Sequence, residues 1–251
     1  MSKKENGASG IAESVSGRQA NIPHLEFSEK YDENQARCYF EKHGKGLWRR
    51  LSNWRETVML RKALKLAGNP KTVLDLPAGT GRFWEMLAGF PDRKIYAADY
   101  SNDMLMMGLH MRPEHVTRRI RPLKCSAFSI PLTDGAVESV FCARLLHHIG
   151  EREDRRAMLR EMTRVASQSI CVSLWIDGNY KARRRSKLEA RRKKKHYQNR
   201  FIVERRVIEE DFRHAGLKPI GRIDFMKFYS MWSTYVLSKV GNRSIISSDS
   251  P

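Results

Sequence analysis

The sequence predicts an α/β fold, a doubly wound sheet of seven mostly parallel strands with helices on both faces and an antiparallel C-terminal strand pair. Three observations support this prediction. Residues 73–83 form a strand, a glycine turn and a helix start; apolar runs then alternate with helical segments; and two final runs suit a hairpin. In such sheets, ligands bind at the carboxyl ends of the strands.

The chain has 251 residues, a length that fits one α/β domain with additions. We expect residues 25–240 to form this domain, with a helical cap over 28–68 and a basic insertion over 181–206. Within the cap, apolar residues recur at helical spacing, and two tyrosines are candidate lid residues or ordinary packing aromatics: Leu47, Leu51, Trp54 and Val58; Tyr31 and Tyr39. Residues 1–24 and 241–251 are poor in bulky apolar side chains, so we expect a disordered N-terminal tail and a flexible C-terminal tail.

Apolar runs give the strand positions, and periodic segments between them give the helices. Ser101 can cap the helix after the second strand, and Glu151–Val165 reads as an amphipathic helix that buries Met158, Leu159, Met162 and Val165. A later helix is expected near Glu209–Gly216. The strands after the glycine turn are predicted at Lys94–Tyr100, Pro122–Phe128, Val137–Arg144, Ser169–Ile176, Leu217–Phe225 and Met231–Lys239.

The turn after the first strand is the most informative local feature. Glycines at 79 and 81 let the backbone bend sharply and approach a ligand closely. Asp99 closes the next strand, 24 residues after Asp75, where an acid can accept hydrogen bonds from both hydroxyls of a ribose. The glycine turn and the acid together predict a nucleotide-type cofactor site.

Two other nucleotide-binding motifs do not fit this turn. A dinucleotide fingerprint needs a third glycine where this chain has Trp84, and a large residue there prevents the close packing of helix on strand. No Gly-Lys-Ser or Gly-Lys-Thr follows the turn, so a Walker-type phosphate loop is absent from the sequence. An ordinary strand, turn and helix that needs glycine only for its geometry is the remaining alternative.

The pattern Asp75-x-x-x-Gly79-x-Gly81, Asp99, and Leu145-Leu146-His147-His148 after a later strand resembles class I S-adenosylmethionine-dependent methyltransferases, most closely the type 11 group. The resemblance covers about residues 70–175. It implies a Rossmann-like sheet, S-adenosyl-L-methionine as cofactor, and a set of cofactor-binding residues at the strand ends: Asp75, Pro77, Ala78, Gly79, Thr80, Gly81, Asp99, Tyr100, Met104, Ser126, Ala127, Phe128 and Arg144.

The chain departs from the family pattern at two places. Pro77-Ala78 stands where the family usually has Gly-Cys, which should stiffen the turn without blocking it. Ser126 stands near the position of an acid that often receives the adenine amino group, so that acceptor is missing.

Charge is the second informative feature. Lysine and arginine number 47 against 28 acids, a formal net charge of +19, and Lys181 to Arg206 alone holds 13 basic and 2 acidic residues. A dense run of one sign repels itself, so an anionic partner explains it better than a solvated helix does. RNA, an anionic phospholipid surface and a phosphorylated glycolipid or small molecule all remain open as the partner, since neither interleaved aromatics nor an apolar helix face is clear.

His147 is the candidate catalytic base, because a neutral imidazole after the fourth strand could take a proton from a hydroxyl or amine. The alternative is a histidine that packs on the sheet, and Arg144 could instead orient an anionic group. An Asn/Asp-Pro-Pro-Tyr box and a catalytic cysteine context are missing, which disfavours two routes of nucleobase methylation. No acid cluster with metal-ligand spacing accompanies the site, so no metal is expected.

Two classes of function are therefore compatible with the sequence. One is a methyltransferase acting on an oxygen, nitrogen or carbon nucleophile of an anionic, membrane-associated or RNA substrate. The other is a non-catalytic cofactor-binding accessory protein that binds nucleic acid or membrane. The four dispersed cysteines and the lack of a signal or membrane-spanning run predict a cytoplasmic protein without disulfides, with peripheral attachment to the inner membrane face as a further option.

Overall fold

A computed structural model describes residues 47–191 and 200–241. The predicted N-terminal tail, Tyr31, Tyr39 and Cys38 lie outside these residues. In chain order the elements are α1 (Leu47–Leu66), β1 (Thr72–Asp75), α2 (Trp84–Ala88), β2 (Lys94–Asp99), α3 (Asn102–Met111), α4 (Glu114–Thr117), β3 (Ile120–Lys124), β4 (Val137–Cys142), a 3-10 turn (Leu146–His148), α5 (Arg152–Val165), β5 (Ala166–Trp175), α6 (Tyr180–Ala190), α7 (Arg205–His214), β6 (Leu217–Asp224) and β7 (Trp232–Lys239).

The strands form one seven-stranded sheet in the order β3-β2-β1-β4-β5-β7-β6. Strands β1 to β5 pair in parallel, whereas β7 runs antiparallel to both β5 and β6. This confirms the predicted fold class. Because Asp75 lies opposite both Ala97 and Phe141, the carboxyl ends of β1, β2 and β4 meet at one edge of the sheet.

Each face of the sheet carries its own hydrophobic core. On one face, α5 and α7 bury apolar side chains that include the predicted Met158, Leu159, Met162 and Val165. On the other face, α1, α2 and α3 cover the sheet with residues such as Leu60, Leu64, Trp84 and Leu105. Burial on both faces explains why the central strands read as continuous apolar runs.

Several predicted strand ends are displaced. The third strand is Ile120–Lys124 and not Pro122–Phe128, since the chain turns at Ser126, whose hydroxyl accepts a hydrogen bond from the Phe128 amide at 3.2 Å. The fourth ends at Cys142 because Arg144 adopts a left-handed φ of 67°. The fifth strand begins at Ala166 and α7 at Arg205, both earlier than predicted, which leaves the connections between elements shorter.

The helix predicted from the spacing of apolar residues is present as α1, although two of those residues do not lie on its buried face. Trp54 is 62% exposed and Leu51 is also exposed, whereas Glu56, Leu60 and Ala63 face the sheet. Apolar residues recur at helical spacing on two sides of this helix. The side that carries Leu60 and Ala63, in the C-terminal half, packs on the core, whereas the side that carries Leu51 and Trp54 does not. None of the helices in the described ranges is long and apolar enough to span a membrane.

Candidate functional site

The two glycines of the turn after β1 serve different purposes. Gly79 and Gly81 both adopt positive φ, 55° and 70°. A Cβ on Gly81 would lie 2.4 Å from the Trp84 ring, so this glycine lets the buried indole pack under the turn. A Cβ on Gly79 would meet only the methyl of Met104 at 3.6 Å, which leaves the backbone there open to a ligand.

Asp99 joins the end of β2 to this turn. Its carboxylate accepts hydrogen bonds from the Gly79 amide at 2.8 Å and from the Ser101 amide at 3.0 Å. Burial raises the pKa of Asp99, and the amides of Ser101, Gly79 and Tyr100 oppose that rise. Each carboxylate oxygen has a further lone pair, so Asp99 can still accept hydroxyl groups from a ribose.

Asp75 at the end of β1 is buried with no hydrogen-bond partner for either carboxylate oxygen among the described residues. Burial raises its pKa well above the ordinary value, and the nearby charge of Asp99 raises it further. The nearby indole of Trp84 lowers the pKa of Asp75, although the distance and angle between the two groups do not make a hydrogen bond. A buried carboxylate without partners is costly, and a ligand with cationic or donor groups would relieve that cost.

The loop 126–128 lies beside the same strand end, since the Cys125 amide donates to the carbonyl of Asp99 at 3.0 Å. Ala127 is buried there, and Ser126 holds the turn through its hydroxyl. Tyr100 follows Asp99 and is half exposed at the rim. The structure thus brings together the acids, the glycine turn and this loop, for which the sequence predicts one cofactor crevice.

The remaining predicted cofactor residues line or support the turn. The Leu76–Pro77 peptide bond is cis, and the Ala78 amide donates to the Ala98 carbonyl at 2.8 Å. Thr80 is buried, and its carbonyl accepts a hydrogen bond from Arg112 at 3.1 Å. These contacts fix the turn to β2 and to the end of α3.

The site fits S-adenosyl-L-methionine. Asp75 has a free buried carboxylate for a cationic group, Asp99 can accept from a ribose, and Gly79 leaves room for close approach of the ligand. Ala127 and Phe128 can pack against the adenine. The missing acid at Ser126 leaves only a hydroxyl there, and that hydroxyl already accepts a bond from Phe128.

Three aromatic side chains form a wall beyond the end of β4, which we call the aromatic wall: His147, Trp175 and Trp232. The His147 ring stacks on Trp175 at 4.9 Å between ring centroids and meets the edge of Trp232 at 4.8 Å. The two indoles lie edge to face at 5.6 Å. The wall assembles because Trp175 at the end of β5 pairs with Trp232 at the start of β7.

Three arginines stand over the aromatic wall. The guanidinium of Arg144 lies 5.1 Å from the Trp232 ring centre, and those of Arg185 and Arg200 lie 4.7 and 5.8 Å from the Trp175 ring centre. Arg185 belongs to α6 and Arg200 follows it, so the basic insertion reaches the site. Arg144, predicted to bind the cofactor, contacts the wall instead of the glycine turn in this structure.

His147 is buried within the wall. Burial is the main cause that lowers its pKa to about 2, and the charges of His148, Arg144, Arg200 and Arg185 lower it further. Its Nδ1 has no hydrogen-bond partner among the described residues. The ring is therefore neutral at physiological pH and available for a hydrogen bond, but it is a poor proton acceptor.

Glu56 of α1 links the cofactor turn to the aromatic wall. Its Oε2 lies 2.5 Å from Nη2 of Arg82, directly after the glycine turn, and 3.5 Å from Nη1 of Arg144. Burial raises the pKa of Glu56, and the Arg144 charge opposes the rise. Sequence reasoning did not identify this residue, although Glu56 is the single acid in α1 and stands at helical spacing from the buried Leu60 and Ala63.

Buried side-chain atoms without partners concentrate in this region. Of the eight such atoms in the described ranges, all but Nη2 of Arg93 belong to the turn, its neighbours, the aromatic wall or the adjoining strand β7: both carboxylate oxygens of Asp75, Arg82 Nη1, Trp84 Nε1, His147 Nδ1, Trp175 Nε1 and Thr234 Oγ1. Buried polar atoms normally find partners, so the crevice is built for a polar ligand.

Comparison with known proteins agrees with this site. A family model described as a methyltransferase domain matches residues 73–169. No curated protein matches the sequence.

Solved structures share the fold. Magnesium protoporphyrin IX methyltransferase from Synechocystis, with bound S-adenosylhomocysteine, is 12% identical, with a TM-score of 0.69 over 85% of this chain and 98% of the other. A SAM-dependent methyltransferase from Aquifex aeolicus is 19% identical, with a TM-score of 0.56 over 84% and 100% of the two chains. The [4+2]-cyclase SpnF is 14% identical, with a TM-score of 0.59 over 78% and 84%.

The cyclase among these neighbours means that the fold alone does not determine the reaction. The family match covers β1 to the start of β5, the part of the chain that carries Asp75, both turn glycines, Asp99 and His147. An enzyme that uses S-adenosyl-L-methionine accounts for the match and for the buried acids together. Residues 73–169 thus match a methyltransferase domain, and the sheet as a whole has the fold seen in S-adenosylmethionine-dependent methyltransferases.

Proposed function

We propose that this methyltransferase acts on an anionic substrate whose nucleophilic oxygen, nitrogen or carbon atom is held against the aromatic wall. The observation that carries this proposal is the set of three guanidinium groups, from Arg144, Arg185 and Arg200, over two tryptophan rings at the carboxyl edge of the sheet. Guanidinium groups bind carboxylates and phosphates, and indole rings bind flat or apolar bodies.

The bound cofactor supplies a methyl group on a sulfonium, which a nucleophile displaces in line. The protein has to align the nucleophile and exclude water. Trp175 and His147 are buried and support the half-buried Trp232 ring, which is the part of the wall that an acceptor can contact. Arg144 and Arg185 pair with Glu56 and Glu189, and the remaining N–H groups of each guanidinium give the anionic part of the substrate two attachment points.

His147 supports a positioning role better than the role of a base. A pKa of about 2 means that the imidazole gains little from taking a full proton at neutral pH. Its unpartnered Nδ1 can accept a hydrogen bond from a substrate hydroxyl or amine. Proton removal would then fall to solvent or to the substrate itself, and His147 as the base stays a prediction.

The first experiment is transfer of labelled methyl from S-adenosyl-L-methionine into a cell extract that lacks the protein, separated into RNA, lipid, protein and small-molecule fractions. Label in an anionic lipid or small-molecule fraction supports the proposal. Label in RNA would support the RNA-directed alternative, for which the half-buried Trp232 ring beside the arginines is the favouring observation. Asp99→Ala, which removes the ribose acceptor, is the inactive control.

The second experiment tests the arginines once a substrate fraction is known. Arg144→Met and Arg185→Met should each raise KM for the substrate about tenfold or more while affinity for the cofactor stays within about twofold. Arg160→Met is the matched control, because Arg160 is exposed on α5 away from the wall. If both wall variants kept the wild-type KM, an anionic substrate at this site would be ruled out.

A cytoplasmic location is part of the proposal. It is supported by the free thiols of the three described cysteines, Cys125, Cys142 and Cys171, since thiols persist in a reducing compartment.

A further inference from the structure

The turn between β6 and β7 exposes apolar side chains that the fold does not use. Phe228 is 87% exposed, and Met226 and Tyr229 are also exposed. Phe228 adopts a left-handed φ of 62°, a conformation that is unfavourable for a bulky residue. An exposed phenylalanine at a strained backbone position does not stabilise the fold, so contact with a binding partner would explain it.

The first residues of α6 are hydrogen-bonded to this turn. The amides of Tyr180 and Lys181 donate to the carbonyls of Phe228 and Tyr229 at 2.9 and 3.0 Å. The rings of Tyr180 and Tyr229 stack at 5.7 Å, with 9° between their planes. The turn and the helix therefore present one continuous surface.

The outer side of α6 adds positive charge to this surface. Ala182 is buried and Arg185 points to the aromatic wall, whereas the bases on the other side of the helix are exposed: Arg183, Arg184, Lys187 and Arg191. Leu188 is exposed among these bases, and Lys227 is exposed beside Phe228. A helix turns by about 100° per residue, which places these bases together with Tyr180 on one side.

We propose that this surface, the outer side of α6 together with the turn 225–231, docks on an anionic lipid bilayer. Apolar side chains that project from a basic surface insert at the boundary of headgroups and acyl chains, while the bases attract anionic headgroups. A membrane explains Met226, Phe228 and Leu188 together with the charge. RNA would explain the charge and the tyrosines, but it has no use for the exposed Met226 and Leu188.

The position of the surface fits this partner. Asp224 at the end of β6 lies opposite Ser233, one residue after Trp232, so the turn lies at the same edge of the sheet as the aromatic wall. Arg55 of α1 contacts the ring of Phe225 and donates to its carbonyl, which joins the turn to α1 near Glu56. Docking here brings the site close to the bilayer surface, and this orientation rests on the proposed function, whereas docking itself does not.

The test is flotation of the purified full chain with vesicles of phosphatidylcholine alone or of phosphatidylcholine mixed with phosphatidylglycerol, without cofactor or substrate. We expect binding to the anionic vesicles and little binding to the neutral ones, with weaker binding as salt rises. Arg184→Gln and Lys187→Gln should each lower the partition coefficient about fivefold, the equivalent of about 1 kcal/mol per charge.

The apolar contribution has its own variants. Phe228→Ser should lower the partition coefficient about tenfold, whereas Phe228→Leu should bind within about twofold of the wild type because insertion needs an apolar side chain and not a ring. Met111→Ser, an exposed methionine at the end of α3 near the opposite edge of the sheet, is the matched control and should change nothing.

Three results would each overturn the proposal. The first is equal binding to neutral and anionic vesicles, and the second is no binding to either. The third is tight binding of single-stranded RNA that Phe228→Leu weakens as much as Phe228→Ser does, since loss with leucine indicates base stacking. Methyl transfer to a water-soluble anion without vesicle binding would refute docking and leave the proposed function standing.

Discussion

Nη2 of Arg82 lies 2.5 Å from Oε2 of Glu56, and both side chains are almost fully buried between the cofactor turn and the aromatic wall. Arg82 follows the glycine turn directly, and Glu56 comes from a helix that precedes the first strand. The cofactor turn and the aromatic wall therefore share one carboxylate, because Glu56 also lies 3.5 Å from Arg144. A substitution at Glu56 should affect both the turn and the wall.

Removing the Glu56 side chain should lower the free energy of unfolding more than neutralising its charge does. Glu56→Ala leaves the buried Arg82 without its acid and should lower the free energy of unfolding by about 3 kcal/mol. Glu56→Gln keeps an acceptor for Arg82. Burial raises the pKa of Glu56 above 4.5, so its ionisation opposes folding as the pH rises beyond that value, and the glutamine should cost about 1 kcal/mol or less at neutral pH.

Urea unfolding at neutral pH measures both variants. Glu85→Ala is the control, since Glu85 is exposed and lies 3.8 Å from Arg112, a pair that should contribute less than about 1 kcal/mol. Equal losses for Glu56→Ala and Glu56→Gln would show that the negative charge, and not the hydrogen bond, stabilises Arg82.

Asp75→Asn should make the protein more stable and less active. Burial raises the pKa of Asp75 well above 3.8, so the folded state binds a proton more tightly than the unfolded state. Stability from this group is complete below pH 3.8 and is lost as the pH rises through the raised pKa. The gain for Asp75→Asn should therefore appear at neutral pH and vanish in acid.

Urea unfolding at neutral and acidic pH gives the stability, and titration calorimetry gives cofactor affinity. The same variant should bind S-adenosyl-L-methionine at least about tenfold more weakly, since it offers no charge to a cationic group. Asp103→Asn, an exposed acid on α3, should change neither quantity. A destabilised Asp75→Asn would mean that an acceptor role of the carboxylate outweighs its burial.

The sequence was a good guide to what depends on local chain geometry. A strand, two glycines and an acid at the end of the next strand predicted the crevice, because parallel strands end at the same edge of a sheet. It was a poor guide to Glu56, which acquires its role only when α1 packs on the sheet beside Arg82 and Arg144. It also could not pair Trp175 with Trp232, since that contact depends on the β5 and β7 register across 57 residues of sequence, 232 minus 175.

The spacing of Leu51 and Trp54 predicted the helix α1 but not that both side chains lie away from its buried face. Periodicity identifies a helix but not which of two apolar sides meets the core. The basic insertion showed its charge in the sequence, yet the exposed Phe228 beside α6 became visible only when the turn 225–231 was placed next to it. Charge is a property of composition, whereas a docking surface is a property of tertiary structure.

The two turn glycines should respond differently to alanine. Gly81→Ala places a Cβ 2.4 Å from the buried Trp84 ring at a φ of 70°, so it should cost about 3 kcal/mol or more of stability. Gly79→Ala meets only Met104 at 3.6 Å and should cost about 1 kcal/mol from its positive φ. Its methyl group instead occupies the open approach to the turn, so cofactor affinity should fall at least about tenfold.

Thermal unfolding and calorimetry distinguish these two outcomes. Gly135→Ala is the control, because Gly135 also has a positive φ of 67° but lies in the loop before β4. It should lose about as much stability as Gly79→Ala and keep full cofactor affinity. If Gly79→Ala bound the cofactor normally, close backbone approach at this position would be excluded.

His147 should make the wild-type protein sensitive to acid. Its pKa is lowered from 6.5 to about 2 in the folded state, so the unfolded chain takes up the proton first. The stability that the neutral ring contributes is complete above pH 6.5 and is lost as the pH falls below it. His147→Phe keeps a ring against Trp175 and removes the titration. Its free energy of unfolding relative to wild type should rise by up to about 1.4 kcal/mol for each pH unit below 6.5.

Urea unfolding at several pH values measures this difference. His110→Gln, which replaces an exposed histidine on α3, should follow the wild-type curve. Parallel curves for wild type and His147→Phe would mean that His147 is protonated in the fold near its ordinary pKa, and its candidacy as the catalytic base would then regain support.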